Sequence, residues 1–209
     1  MVENLALYPH FIPLLRVVEG GHFWYYVLPL YFLATLLIGA TLGGAMAPSP
    51  LSLEDGVRAW RPQQGDILHV NTEENLGYLI HPDGRRFVFR VATGQKRAVR
   101  YIGLSYFAAT PEGNWVVKSH HIQGDRITYG PEGHFLRMYK NLDEYSHYGI
   151  HTHASADSML REKDRYASMG CVIVSDAILD LLERTYVLNG QLLVVTASGP
   201  PEYLLAMGK

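Results

Sequence analysis

The chain has 209 residues, 48% of them hydrophobic, with 18 Lys and Arg against 20 Asp and Glu and a formal net charge of −2. This is the composition of a globular chain with room for one domain and an appendage, and the lack of any basic run excludes nucleic acid as a partner. Cys171 is the only cysteine, so an intramolecular disulfide is excluded and any chemistry it has is that of a thiol.

The appendage comes first. No Asp, Glu, Lys or Arg occurs between Glu19 and Glu54, and within that gap Phe23 to Ala47 reads FWYYVLPLYFLATLLIGATLGGAMA. About 20 apolar residues cross a hydrocarbon core as a helix. Trp24, Tyr25 and Tyr26 stand where an interfacial aromatic belt would lie, and Pro29 is tolerated near the start of a membrane helix. A core helix is disfavoured because so small a domain could hardly surround it. A cleaved signal peptide is the closer competitor, with Ala45-Met46-Ala47 as a small-x-small site. The long preceding segment, its one fixed cation Arg16 and the adjacent Pro48 favour an uncleaved anchor. Arg16 on one side and Arg58 and Arg61 on the other leave the orientation open. The expected order is therefore an N-terminal segment (1–22), a transmembrane anchor or signal peptide (23–47) and a linker (48–64). In that linker Pro48-Ser49-Pro50 is stiff, and residues 51–62 permit a short helix ending before Pro62.

From about Gly65 short β-branched and aromatic runs alternate with turn residues. The predicted strands are Asp66–Val70, Tyr78–His81, Arg86–Ala92, Ala98–Leu104, Trp115–Ser119, Arg126–Thr128, Phe135–Tyr139, Tyr148–His153, Cys171–Val174 and Gln191–Thr196. Pro82-Asp83-Gly84, Thr93-Gly94, Thr110-Pro111-Glu112-Gly113 and Gly130-Pro131-Glu132-Gly133 are the predicted turns. Closely spaced strands of this kind predict a mainly β sandwich or barrel over 65–198, with a tail at 199–209. One or two short helices are expected: Ser175 can cap a helix to about Arg184, with Ile178, Leu181 and Leu182 on one face, and Ala154–Asp164 is a helix-permissive loop or lid.

The chemistry concentrates in Tyr148-Gly149-Ile150-His151-Thr152-His153 and Ser168-Met169-Gly170-Cys171. Strand alternation would point His151 and His153 the same way, so either can serve a thiol as base. A helix beginning near Asp176 would lower the thiol pKa, and backbone N–H groups around Met169, Gly170 and Cys171 could form an oxyanion hole. The alternatives are a small buried hydrophobe at Cys171, a polar patch at the two histidines, or a metal site completed by His81, His120, His121 or Cys171. The sequence fixes no complete ligand set and no cofactor motif.

GIHTH, followed by SMGCVIVSD leading into a helix, resembles the L,D-transpeptidase catalytic domain (YkuD-like) family, whose members show I-H-G or V-H-S, then S-H-G-C, then I-R or L-N. His151 and Cys171 are 20 residues apart, with room for a variable lid. TPEG at Thr110–Gly113 and Val91-Ala92-Thr93-Gly94 are similar to the family's T-P-x-G and V-x-T-G elements. The resemblance covers about Gly65 to Ser198 and implies an L,D-transpeptidase-like β-sandwich. Residue by residue it implies Cys171 as nucleophile and His151 as base, with His153 in reserve. It implies that Thr152 orients His151 through its backbone carbonyl, and that Ser168, Met169 and Gly170 frame the nucleophile. Met169 stands where many members have His, and Ile173 where they have Arg or Asn. Arg137, Arg161, Lys163 and Arg165 are candidate replacement cations.

The resemblance further implies peptidoglycan stem peptides as the partner. Cys171 would attack the carbonyl between an L-centred diamino acid and a terminal D-Ala. The acyl group would then pass to an amine, for crosslinking, or to water, for L,D-carboxypeptidase trimming. An N-terminal anchor would hold such a domain outside the bacterial cytoplasmic membrane, on the periplasmic or extracytoplasmic side. The alternative is a membrane-anchored wall-binding module that keeps the fold without turnover.

Overall fold

The computed structural model describes residues 52–101 and 103–201. The chain divides between Ala47 and Pro48 into two units, and all described residues belong to the second. The expected anchor, the first residues of the linker and most of the tail lie outside the described residues. Among the described residues no helix is long and apolar enough to cross a membrane.

The first element, α1 (Leu53–Ala59), lies within the expected linker. Ser52 Oγ accepts the Asp55 N–H at 3.2 Å, and Glu54 and Asp55 sit in the first turn, where the helix dipole favours anions. Then come β1 (Ile67–Asn71), β2 (Leu76–Ile80), β3 (Arg86–Arg90), β4 (Thr93–Gly94), β5 (Ala98–Tyr101), β6 (Leu104–Phe107), β7 (Gly113–Ile122), β8 (His134–Lys140) and β9 (Gly149–His151). The chain continues through α2 (Ala156–Arg161), β10 (Tyr166–Ser168), β11 (Val172–Ile173), α3 (Asp176–Asn189) and β12 (Leu192–Ala197).

The fold is mainly β with short helices. The expected facing sheets are realised as one eight-stranded sheet, in the order β11-β9-β8-β7-β12-β1-β2-β3, plus the ribbons β10-β4 and β5-β6. The β1–β12 and β9–β11 pairs are parallel, and the other neighbours in the large sheet are antiparallel. One face buries Leu68, Val70, Leu79, Val117, Leu136, Met138, Ile150 and Val172 against Ile178, Leu181 and Leu182 of α3 and Val57 of α1. At α3, Ser175 Oγ accepts the Ile178 N–H at 3.4 Å, and Gly190 closes the helix in the left-handed region at φ 69°.

The structure corrects four expectations. The predicted strand Ala98–Leu104 is a hairpin, because Gly103 at φ 78° turns β5 back as β6. Arg126–Thr128 is a turn: Asp125 Oδ1 accepts the N–H groups of Ile127 and Thr128 at 3.0 and 3.1 Å. Thr93-Gly94, expected as a turn, is the strand β4 paired with β10. The helix α3 continues past Arg184 to Asn189, and Thr185 is accommodated by a bond from its hydroxyl to the Leu181 carbonyl, 2.8 Å.

Candidate active site

Three strands at one end of the sheet place the candidate residues in rows. Leu136, Ile150 and Val172 lie side by side on β8, β9 and β11, all fully buried toward α3. Alternation turns their neighbours to the opposite face, so Phe135, His151 and Ile173 form the next row. Arg137 is opposite Gly149 in the third row, and Cys171 stands one residue before β11. Cys171 lies just outside the ladder, and contacts place it near His151: its Sγ is 4.0 Å from the His147 carbonyl oxygen, and Tyr129, whose ring is 5.0 Å from that of His151, also feels the Cys171 charge.

Gly149 has no room for a side chain. A Cβ there would lie 2.3 Å from the Phe135 ring and 2.6 Å from the Leu136 carbonyl oxygen. Gly170 holds the other close approach, at φ 123°, where a Cβ would meet the Tyr148 ring at 2.5 Å. Ser168 closes this turn: its Oγ donates to the Cys171 carbonyl at 2.5 Å and accepts the Gly170 N–H at 3.1 Å. The Gly170 N–H is therefore engaged in the turn, which leaves the Met169 and Cys171 N–H groups as the candidate oxyanion donors. Met169 itself offers its carbonyl to the Tyr106 hydroxyl at 3.2 Å, and its sulfur lies 3.6 Å from Gln95 Nε2.

The V-x-T-G and T-P-x-G elements support the same turn. Gly94 N–H donates to Thr110 Oγ1 at 2.9 Å, and the Gln95 N–H donates to the Ser168 carbonyl at 3.0 Å. A Cβ on Gly94 would lie 2.5 Å from the backbone at Ala108, Ala109 and Thr110, so only glycine permits the crossing.

His151 is buried, and its Nδ1 donates to the Thr152 carbonyl at 2.5 Å, as expected for that carbonyl. This bond places the proton on Nδ1 and the lone pair on Nε2. Burial pushes the imidazole below its ordinary pKa of 6.5, partly offset by the Thr152 carbonyl, so the ring rests neutral. The turn that replaces the predicted strand at 126–128 brings Tyr129 to 5.0 Å between ring centroids from His151.

His153 has a different setting. The strand ends at His151, so the alternation argument does not reach it. Its Nδ1 accepts the Ser155 N–H at 2.9 Å and its carbonyl accepts the Ala156 N–H at 2.8 Å, both at the start of α2.

The expected helix-dipole effect on Cys171 is not what the structure supplies, because β11 separates the thiol from α3. Cys171 is half-buried. Desolvation pushes its pKa up to about 11, against the smaller lowering effects of a Gly149 backbone hydrogen bond and the Arg137 charge. Its Sγ lies 4.0 Å from the His147 carbonyl oxygen. The raised thiol and the lowered imidazole both favour their neutral forms at rest.

Of the candidate cations, Arg137 is the one whose field reaches the thiol. Its guanidinium lies over the Phe135 and Tyr145 rings at 4.9 and 4.7 Å and donates to the Ser146 carbonyl at 2.8 Å. Arg165 is committed to the Glu74, Asn75 and Val91 carbonyls, and Arg161 to Asp157. Ile173, at the family's polar position, is 3% exposed among Ala92, Ala156 and Leu160, where it seats α2. The metal ligands considered with His151 and Cys171 go elsewhere: His81 bonds buried Asp66 at 2.6 Å, and His121 bonds Ser119 at 2.8 Å. The sequence reading missed Tyr106 and Tyr129 as site walls; both phenols are pushed up in pKa by desolvation first, with a contribution from Cys171.

A family model described as the L,D-transpeptidase catalytic domain (YkuD) matches residues 65–195. No curated protein matches the chain. Solved structures similar to it include an L,D-transpeptidase from Xylanimonas cellulosilytica (20% identity, TM-score 0.47, covering 66% of this chain and 63% of that one). Two others are Bd1075 of Bdellovibrio bacteriovorus (18%, 0.45, 63% and 47%) and the helical cell shape determining protein Pgp2 of Campylobacter jejuni (19%, 0.44, 65% and 47%). The matched region spans less than two thirds of each of these chains.

Proposed function

The chain belongs to the L,D-transpeptidase catalytic domain family, and from that premise we propose that it is a cysteine acyltransferase acting on peptidoglycan stem peptides. The observation that carries this reading is His151 on β9 beside β11, the strand that Cys171 leads into, with Nδ1 of the imidazole fixed on the Thr152 carbonyl. In the proposed reaction Nε2 takes the thiol proton as Sγ bonds the carbonyl carbon before the terminal D-residue. The C–N bond then breaks, the amine leaves with the proton from Nε2, and an acyl-thioester remains on Cys171. An incoming amine or water gives its proton to Nε2, takes the acyl group and restores the thiol.

The Met169 and Cys171 N–H groups are proposed to receive the oxyanion. Arg137 is proposed to replace the family's missing Arg or Asn by receiving a stem carboxylate beside the thiol. An uncleaved helix at 23–47 is proposed to anchor the domain on the outer side of a bacterial cytoplasmic membrane.

The second reading, a wall-binding module without turnover, has a specific observation behind it: a half-buried thiol with its pKa near 11. Incubation with purified disaccharide-tetrapeptide, with products read by mass spectrometry beside the Cys171→Ala variant, separates the two. Release of D-Ala that requires Cys171 supports the enzyme, and the other product distinguishes crosslinking from trimming. Bound but unaltered stems support the module.

A further inference from the structure

Away from the thiol, β7, β8 and α3 bring a second group of chemistry-bearing side chains together. His120 and His134 are diagonal neighbours on one face: His120 is opposite Leu136, and His134 is opposite Ile122. Their rings meet edge to face at 4.7 Å between centroids. Glu183, from the α3 turn above them, directs one carboxylate oxygen to both. Oε1 lies 2.6 Å from His134 Nδ1 and 3.3 Å from His120 Nε2. Among the described residues this is a set of three donor atoms within 4.8 Å of one another.

We propose that His120, His134 and Glu183 bind a divalent transition ion of the zinc class. Two imidazoles and one carboxylate are a ligand set that zinc accepts in tetrahedral geometry, with a fourth position left to water. Zinc–ligand bonds of about 2.0–2.2 Å put tetrahedral ligand atoms roughly 3.3 Å apart. The 3.3 Å from His120 Nε2 to the carboxylate already matches that spacing, while the 2.6 Å from His134 Nδ1 has to open by roughly 0.7 Å, a shift that side-chain rotation supplies. The nitrogen donors disfavour Mg²⁺ and Ca²⁺, which take oxygen ligands. The ligands come from three elements far apart in sequence, and each is partly open to solvent, with side-chain exposures of 32, 27 and 17% for His120, His134 and Glu183. An ion can therefore enter, and once bound it ties α3 to the two strands.

Its position gives this tie a further consequence. His120 and His134 flank the connection 123–133, which carries Tyr129 onto His151. A bound ion fixes the root of the loop that roofs the candidate base. Ion binding itself does not rest on the acyltransferase reading.

The test uses the full chain in mild detergent, in a Cys171→Ser background so that the thiol does not compete for the ion. Zn²⁺ at a hundredfold excess over its Kd should raise the melting temperature by about 5–10 °C. Mg²⁺ should give no rise. The Zn²⁺ shift should disappear in Glu183→Gln and in His134→Ala, and hydrogen exchange in 123–133 should slow only where it remains. His120→Gln, a milder change at a more exposed position, covers the case in which His134→Ala does not fold. An equal shift in the ligand variants would place the ion elsewhere and overturn the proposal, as would the lack of any Zn²⁺ binding.

Discussion

In the middle of the sheet, β12 pairs with β1 and with β7 over five residues each, whereas at its end β11 pairs with β9 over two. The central strands are held by long ladders and by apolar side chains closed over by α3. The end strands are held by turns in which single polar contacts and single glycines decide the path: Ser168 across Gly170, Gly94 against Thr110, and Gly149 under Phe135. The centre sets whether the chain folds; the end sets where a thiol, an imidazole and a guanidinium stand. The same division explains why the end tolerates a desolvated thiol, a cost that the central packing can offset.

The comparison is sharpest at Cys171. Cys171→Ala should lose on the order of 10⁴–10⁶-fold in turnover with stem peptides. Its melting temperature should stay near that of the parent, since the ladders and the α3 core are untouched. His151→Ala should lose roughly 10²–10⁴-fold. His153→Ala, which removes an acceptor at the start of α2, should leave turnover near the parent level; a larger loss at His153 than at His151 would reverse the assignment of the base. The pH profile sharpens this further. The reaction needs neutral His151, and burial lowers its pKa below 6.5, so activity should persist to lower pH than an ordinary histidine would allow. A rate that instead follows free thiolate would keep climbing toward pH 11.

In the centre the effects should exchange places. Leu136→Ala removes a fully buried side chain from the α3 core and should cost about 2–5 kcal/mol of stability, read by denaturant melts. The folded fraction should keep its turnover number. Back at the end of the sheet, a smaller loss than at Cys171 or His151 is expected at Arg137→Met, which keeps an unbranched side chain but removes the charge. The thiol pKa should rise further as the lowering charge is lost, and turnover should fall on the order of tenfold through loss of the carboxylate contact. If turnover were unchanged there while the thiol pKa rose, Arg137 would act on the sulfur without receiving substrate.

This contrast also governs what the sequence reveals. The β7, β8 and β12 runs alternate or are continuously apolar over lengths that packing demands, so Trp115–Ser119, Phe135–Tyr139 and Gln191–Thr196 are legible as strands. Ser175 and the Ile178, Leu181, Leu182 face likewise announce α3. The end of the sheet is written in backbone contacts that periodicity does not encode. The strand character of Thr93-Gly94 depends on β10, and the turn at 126–128 depends on the Asp125 carboxylate. His151 and Cys171 stand out in the sequence as candidates because GIHTH and SMGC carry the family's pattern, and the glycines in it are required sterically. The alternation that would set His153 beside His151 does not reach it, because the strand stops two residues earlier. The guanidinium proposed to stand in for the family's polar group at Ile173 comes from another strand, β8, so no local motif points to it; Arg137 lies opposite Gly149 in the register.

The most direct test is to trap the acyl-enzyme. The protein is mixed with disaccharide-tetrapeptide, quenched in acid, digested and mapped by mass spectrometry, with Cys171→Ala and His151→Ala in parallel. The account predicts an adduct equal to the stem less D-Ala on the peptide containing Cys171, absent in Cys171→Ala and much slower to form in His151→Ala. An adduct on another residue, or stems that bind while Cys171 stays unmodified, would contradict it.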